Sequence, residues 1–589
     1  MPQPPIRGLS PDDSTDRQKL RRDIRSPLLK RLKRIGRTQS TVMALAVLTI
    51  LELSFPQSAL FWISLLWLLL YLHYKESKNP LAIRLPKGAN RLDPNSPGPG
   101  HKFWNQADGT ILVGHDIINN QEIWITENDL LTHILLLGTT GSGKTESLLS
   151  LAGNAMSGGS GLFYIDPKAA PLLAVQLWQM VRILGRDDDF RVLNYGAADH
   201  EAGITRRISN TNNPFSEGSA DALTQILTSL MPNSAESDRN NIFADKARNL
   251  IAGLLQVLVD LRDKGDLRLS VGNIRGFLNL EVCVQLLNNA KLEESSKAAL
   301  KAALQSCNWV ESRSLDQQNS FYEQFGYAQS YFGRALSSLT DTYGHIYGAE
   351  YGEVDFRDVV LNRRILLVLL PSLEKSPAEL ASLGKITLSS LKAAAAVGLG
   401  LDIEGPESDV LGPLHVHFEG SGPFQIIVDE YAAIVTPGFE MVLTQGRGLG
   451  IGSVIASQDY AGLIEADRKG AQQIVANTNL KIFMKLAEPE KTWNLLKSLS
   501  GEEPVLRTTG YNLNREHITS AWQDNQTATV EMSPVSVLRD LMEQTEGEAH
   551  CVCQGQVIRA RLLYVNINVK DALLRVPRLV YLDGSESDD

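Results

Sequence analysis

Cysteine is scarce in this sequence, with four in 589 residues, which excludes a disulfide-stapled scaffold and fits a reducing compartment. Cys551 and Cys553 form a Cys-x-Cys pair, but no second Cys/His pair at zinc spacing accompanies it. Alternation along a strand explains the pair, and no metal is assigned there. Beyond Tyr74 no apolar run approaches the length of a membrane span, which argues against a polytopic membrane protein, and no internal repeat marks a solenoid or propeller. An excess of positive charge is missing too: 57 Lys and Arg stand against 67 Asp and Glu, a net of −10. That balance gives no positive support for nucleic-acid binding, although a local basic surface would suffice for it. At 43% hydrophobic and 21% charged residues the chain is not disordered as a whole, and its length suggests two or three domains.

What is present is unevenly placed. Arg17, Lys19, Arg21, Arg22, Arg25, Lys30, Arg31, Lys33, Arg34 and Arg37 crowd the stretch before position 40. Two apolar runs without Lys or Arg follow, Thr41 to Phe55 and Ala59 to Tyr74, broken at Pro56-Gln57-Ser58. They predict a transmembrane hairpin. Each is shorter than the ~20 residues that usually span a bilayer, so Trp62, Trp67, Tyr71 and Tyr74 are expected at the interfaces. Basic residues before the first run, with Lys75 and Lys78 after the second, keep both ends cytoplasmic by the positive-inside rule. A cleaved signal peptide does not fit, because the apolar region begins late, is doubled and lacks a small-residue cleavage site.

The next feature is chemical. His133 to Leu137 reads as a buried strand, Gly138-Thr139-Thr140-Gly141-Ser142-Gly143-Lys144-Thr145 matches the Walker A pattern, and Glu146 to Ala152 continues as helix. The glycines let backbone amides wrap phosphates at a helix N-terminus, Lys144 can reach the β/γ-phosphates, and the Thr145 hydroxyl can hold Mg2+. ATP and Mg2+ are the cofactors this predicts. A second apolar strand, Phe424 to Val428, ends in Asp429-Glu430, the Walker B candidate: Asp429 for Mg2+, Glu430 to polarise the attacking water. A third, Ile451 to Ala456, ends at Ser457-Gln458, where Gln458 is placed to sense the γ-phosphate. Between them Arg447 sits in a glycine-rich turn, Gln445 to Gly450, and is a candidate for stabilising charge on a neighbour's phosphate. The strand Leu162 to Ile165 ends at Asp166-Pro167-Lys168, at the sheet edge where α/β ligands gather, without an assigned role. Leu499-Ser500-Gly501-Glu502 resembles part of an ABC-transporter signature but follows the Walker B strand instead of preceding it, which disfavours that reading.

Walker A and Walker B stand much farther apart than a minimal RecA-like core requires. Segments such as Phe243 to Lys264 and Leu292 to Cys307 carry apolar residues at helical spacing, so an all-α insertion is expected between them. Strand-and-helix alternation resumes at Arg364 to Leu370 and Ala378 to Ala396, suiting a parallel sheet flanked by helices. Ala549 to Cys553 and Val557 to Tyr564 read as a strand pair around Gln554-Gly555. The expected fold is α/β: a RecA-like P-loop ATPase core with an all-α inserted domain and an N-terminal transmembrane helical hairpin. Its parts are a basic cytoplasmic segment (1–40), the hairpin (41–74), a linker and first core part with Walker A (75–208), the insertion (209–348), a second core part with Walker B (349–570) and a tail (571–589).

This order of parts resembles the type IV secretion coupling proteins of the TraD/TraG family, and within it the DotL/TrbC branch. The resemblance rests on Gly138 to Glu146, Asn362 to Leu369 with Glu374-Lys375-Ser376, Ser457-Gln458-Asp459-Tyr460, and Ile474 to Asn479, and it covers nearly the whole chain. It implies a homo-hexameric ATPase ring at the bacterial inner membrane. Such a ring receives single-stranded DNA bound to relaxosome proteins, or protein substrates, and passes them to the secretion-channel components. Effector-handling members carry a long C-terminal extension, and the end of this sequence soon after Val580 therefore favours DNA as the expected cargo. An FtsK/HerA-like DNA translocase, a channel-assembly ATPase and a membrane scaffold with a merely structural nucleotide site are the competing expectations.

Overall fold

A computed structural model of the chain describes residues 83–567, interrupted mainly at 197–207, 232–237, 398–403, 407–421 and 515–520. Apart from isolated positions, the expected basic segment, hairpin and tail lie outside the described residues. Among the described residues no helix is long and apolar enough to cross a membrane. They fall into two compact units, one of Ile83–Asn494 with Leu538–Asp589, the other, in its described part, of Leu495–Val537.

The larger unit is built on an eleven-stranded sheet. Its strands are β1 (Gly109–Asp116), β2 (Glu122–Thr126), β3 (Ile134–Leu137), β4 (Leu162–Asp166), β5 (Phe190–Asn194), β6 (Ile365–Leu369), β7 (Phe424–Val428), β8 (Ile451–Ser457), β9 (Leu480–Met484), β10 (Glu548–Cys553) and β11 (Gln556–Leu562). Their spatial order is β2-β1-β11-β10-β9-β3-β8-β7-β4-β6-β5. From β9 to β5 all neighbours are parallel. A strand with helices on both faces is shielded from water along its length and is mainly apolar, and β3, β4, β6, β7, β8 and β9 are buried at every residue.

The parallel sheet expected from the sequence is thus extended into a mixed one. β10 lies antiparallel on β9, β11 on β10, β1 on β11 and β2 on β1. The cause is local. Gln554 and Gly555 both have positive φ, 50° and 75°, as a two-residue hairpin turn of the type I′ class requires. β11 alternates exposed and buried residues, so one face of this extension meets solvent.

Helix α1 (Lys144–Ser157) follows β3, α2 (Pro171–Ile183) follows β4, and α7 (Pro377–Val397) follows β6. Between β5 and β6 the longer elements are helices α3 (Ala220–Ser229), α4 (Asp238–Asp263), α5 (Glu294–Ser306) and α6 (Asn319–Ser337). α4 packs against α3, α5 and α6. Gly253 allows the closest approach: a Cβ there would stand 2.6 Å from the Ala303 Cβ of α5. The chain leaves and re-enters the sheet at one point, where Asn212 bridges Val354 in parallel fashion and donates its side-chain amide to the Val354 carbonyl at 2.7 Å. Nearby, the buried Tyr195 hydroxyl, just past β5, lies 2.5 Å from that of Tyr347 and 3.3 Å from Thr387 Oγ1 on α7. These bonds fasten the helical region to the sheet.

The smaller unit contains an antiparallel ribbon that the sequence reading did not anticipate. Glu502–Thr508 pairs with Ala528–Pro534, and Tyr511–Asn514 pairs with Ala521–Asp524.

One buried histidine makes the larger unit sensitive to acid. His550 on β10 accepts a hydrogen bond from Gln544 Nε2 at 2.6 Å at its Nδ1 and is 3% exposed. Burial, then the charge of Arg559, pushes its pKa down to about 4. The folded pKa lies below the unfolded value, so the stabilisation is complete above pH ~6.5 and is lost as pH falls toward 4, by about 1.4 kcal/mol per pH unit. Melting temperature should therefore fall further between pH 7 and pH 5 in the parent than in a His550→Gln variant, read by differential scanning fluorimetry. Parallel curves would exclude His550 as the acid-labile group.

Candidate nucleotide site

The glycine loop is held from three sides. Gly138 N–H donates to the Ser457 carbonyl at the end of β8 at 3.2 Å, and Thr139 N–H donates to the Lys485 carbonyl just past β9 at 3.0 Å. Gly547 N–H, before β10, donates to the Ser142 carbonyl at 2.9 Å. Gly141 and Gly143 take φ of 80° and 88°, and a Cβ on Gly143 would meet Gly547 N at 3.0 Å, so glycine is required there on two counts. Lys144 opens α1, whose first-turn amides have no partner within the helix and can face phosphate oxygens.

One strand, β8, separates β3 from β7, so Asp429 and Glu430 emerge at the same sheet edge as the loop. Lys144 Nζ pairs with Glu430 Oε1 and lies 3.4 Å from Asp429 Oδ1. Asp429 is 1% exposed and accepts from the Glu430 amide at Oδ1, at 2.9 Å. Glu430 itself has φ of 46°, an unusual backbone for a residue with a Cβ, which turns the chain sharply after β7. Gln458 is exposed directly after β8, between the loop and the acidic pair.

Three buried polar atoms at this edge have no hydrogen-bond partner among the described residues: Asp429 Oδ2, Glu146 Oε2 and Tyr164 Oη. Tyr164 lies on β4 beside β7, and burial, then the charges of Asp429, Asp166 and Glu146, raises its pKa well above the usual phenol value. Its hydroxyl stays protonated. A buried carboxylate oxygen without a hydrogen-bond partner is a hard-oxygen donor of the kind Mg2+ takes. Asp429 therefore fits the cation expected there from sequence.

Arg447 is elsewhere. It lies in the turn before β8, at the N-terminal edge of the sheet, and the length of β8, ~20 Å at ~3.3 Å per residue, separates it from the loop of its own chain. His133, missed in the sequence, fixes that turn. With φ of 61°, it donates from Nε2 to the Leu443 carbonyl at 2.6 Å and accepts the Ser453 amide at Nδ1 at 3.0 Å. Burial depresses its pKa. Lys168, to which the sequence assigns no role, joins the same cluster: its Nζ lies 3.3 Å from Glu430 Oε1 and 3.6 Å from Asp429 Oδ2. Burial would lower its pKa, but those two charges outweigh it and hold the ammonium above the ordinary lysine value. Its position at a strand end was readable; the adjacency of β4 and β7 was not.

A buried strand, a glycine loop and a helix, with an acidic pair one strand away, define a P-loop protein. Residues 423–546 match the family model for the TraM recognition site of TraD and TraG. The chain is 37% identical over 512 residues to the type 4 coupling protein DotL of Legionella pneumophila, and the match covers 84% of this chain but 65% of DotL. The plasmid coupling protein TrwB in complex with ADP and Mg2+ shares the fold, with a TM-score of 0.50 over 76% of this chain and 89% of TrwB at 15% identity. TrwB with a non-hydrolysable ATP analogue gives 0.50 over 80% and 92%, at 16% identity. The chain belongs to the TraD/TraG family of type IV coupling proteins.

Removing the unsatisfied oxygen should separate metal from phosphate binding. With Asp429→Ala, Mg2+ is expected to tighten binding of a fluorescent adenine nucleotide at least about tenfold less than in the parent, as read by anisotropy. An unchanged Mg2+ effect would remove Asp429 as the metal ligand.

Proposed function

We propose that this chain is an inner-membrane ATPase that couples a substrate complex to a type IV secretion channel, with single-stranded DNA carried by relaxosome proteins as the leading cargo. The observation that supports it best is the meeting of Lys144 with Asp429 and Glu430 at one sheet edge. A purely structural nucleotide site has no use for a second carboxylate next to the metal ligand. In this reading Gly138 to Glu146 cradle the phosphates of ATP, and Lys144 reaches the β/γ-phosphates. Thr145 and Asp429 hold Mg2+, which neutralises phosphate charge when bound. Glu430 orients and polarises the attacking water, and Gln458 contacts the γ-phosphate. Arg447 serves a neighbouring subunit of a homo-hexamer, since the strand between them keeps it from its own loop. The apolar runs within 41–74 anchor the chain with both termini and the ATPase domain on the cytoplasmic side.

One observation favours a second cargo. The all-α insertion, 209–348, is in this reading the contact for DNA or relaxosome, and across it acidic residues slightly outnumber basic ones. A surface of that balance gives DNA phosphates little electrostatic attraction and suits a protein cargo better.

The detergent-solubilised full chain should hydrolyse ATP, lose that activity with Lys144→Ala or Glu430→Gln, and be stimulated by single-stranded DNA at a stated salt concentration. Basal hydrolysis unmoved by any DNA would turn the reading to protein cargo. No hydrolysis in the parent would sink the motor itself. Subunit mixing tests Arg447. Lys144→Ala and Arg447→Ala chains, each inactive alone, should regain roughly a quarter of the parent rate when co-assembled, as sites completed in trans require. No recovery would place Arg447 outside the reaction.

A further inference from the structure

Two lysines stand on the Asp429–Glu430 pair, and the phosphate loop accounts for one. The other, Lys168, is presented by a turn that is fixed several times over. β4 ends at Asp166, 1% exposed, whose carboxylate accepts the amides of Lys168 at 3.0 Å and Ala170 at 2.8 Å. Ala169 is held at φ of 48°, a left-handed conformation that costs a residue with a Cβ energy and persists only where its surroundings dictate it. The strand after it in space adds two ties: Leu370 N–H donates to the Asp166 carbonyl at 2.9 Å and Ser372 N–H to the Pro167 carbonyl at 3.1 Å. The backbone is rigid, while the lysine side chain is 42% exposed against 5% for Lys144. It is therefore the ammonium of the two that is free to move.

The geometry gives it a competitor. Lys168 Nζ faces Asp429 Oδ2, the buried oxygen that fits Mg2+, and Glu430 Oε1. A cation at Asp429 and an ammonium within 4 Å of the same oxygen repel each other. Both cannot hold Asp429. Phosphates would change the balance, because they supply negative charge to which both lysines can turn.

We propose that Lys168 is a positioning residue that occupies Asp429 and makes metal entry conditional on phosphate: free Mg2+ is turned away, and Mg2+ arriving with a nucleotide is accepted. This rests on the nucleotide reading above. The lysine acts through Asp429 and Glu430, keeping the acidic pair charge-balanced and Glu430 oriented.

The test uses Mn2+ as a paramagnetic stand-in for Mg2+, titrated by electron paramagnetic resonance into the full-length protein in detergent without nucleotide. Lys168→Met should bind Mn2+ at least about tenfold more tightly than the parent, Lys168→Arg should behave as the parent, and adding Asp429→Asn to Lys168→Met should abolish the gain. Binding of ADP in the absence of divalent metal, measured in parallel, shows that the Lys168→Met site is folded. Parent-like Mn2+ affinity in Lys168→Met overturns the proposal. So does loss of metal-free ADP binding in that variant alone, which would make the lysine a phosphate ligand or a scaffold. A parent that binds no nucleotide under any condition would instead sink the nucleotide reading, while the Mn2+ titration would still decide the competition at Asp429.

Discussion

Everything at this site depends on opposite charges being held together where water has little access. Lys144, Asp429 and Glu430 are all largely buried, and a buried charge is tolerated only if it is paired. The pairing ties the start of α1 to the end of β7, elements far apart in sequence. Around it the sheet supplies rigidity: β3, β8 and β7 are buried at every position, and side-by-side parallel strands bring their carboxyl ends to one edge. A charged cluster on a looser scaffold would hydrate and separate. Here the apolar walls keep the groups within reach of each other.

The opposite sheet edge obeys the same logic with neutral groups. His133 accepts at one ring nitrogen and donates at the other, which fixes its tautomer and joins the start of β3 to the turn carrying Arg447. Both ends of β8 thus meet a turn held by defined hydrogen bonds, and the strand acts as a spacer of set length between them.

Much of this could be read from the sequence, and the limits have physical reasons. Runs such as Ile134 to Leu137 and Ile426 to Val428 announce buried strands, because only strands covered on both faces can be apolar without alternation. The glycine loop and the acidic pair are local patterns, so Lys144, Thr145, Asp429 and Glu430 can be nominated without knowing the strand order. Lys168 and His133 were not found as members of a site. Their significance lies in which strands are neighbours, and short apolar strands carry little information about their partners. The mixed character of the sheet was missed for a related reason: the strand pair after residue 548 was legible, but its docking onto β9 was not. The ribbon between 502 and 534 was overlooked because its strands alternate too weakly to stand out.

The contact between Gly547 and Ser142 has a consequence for how the molecule is made. The glycine loop leaves the ribosome early, but the turn that backs it follows about four hundred residues later. At ~5–20 residues per second that is a delay on the order of tens of seconds. For most of that interval, until residues 451–484 are made, β3 lacks its neighbours β8 and β9, and an apolar strand edge is open to wrong pairing. The helical region emerges within the same interval and is rich in local contacts that form quickly. Placing it between the halves of the sheet gives the nascent chain something to fold while the early strands wait for their partners.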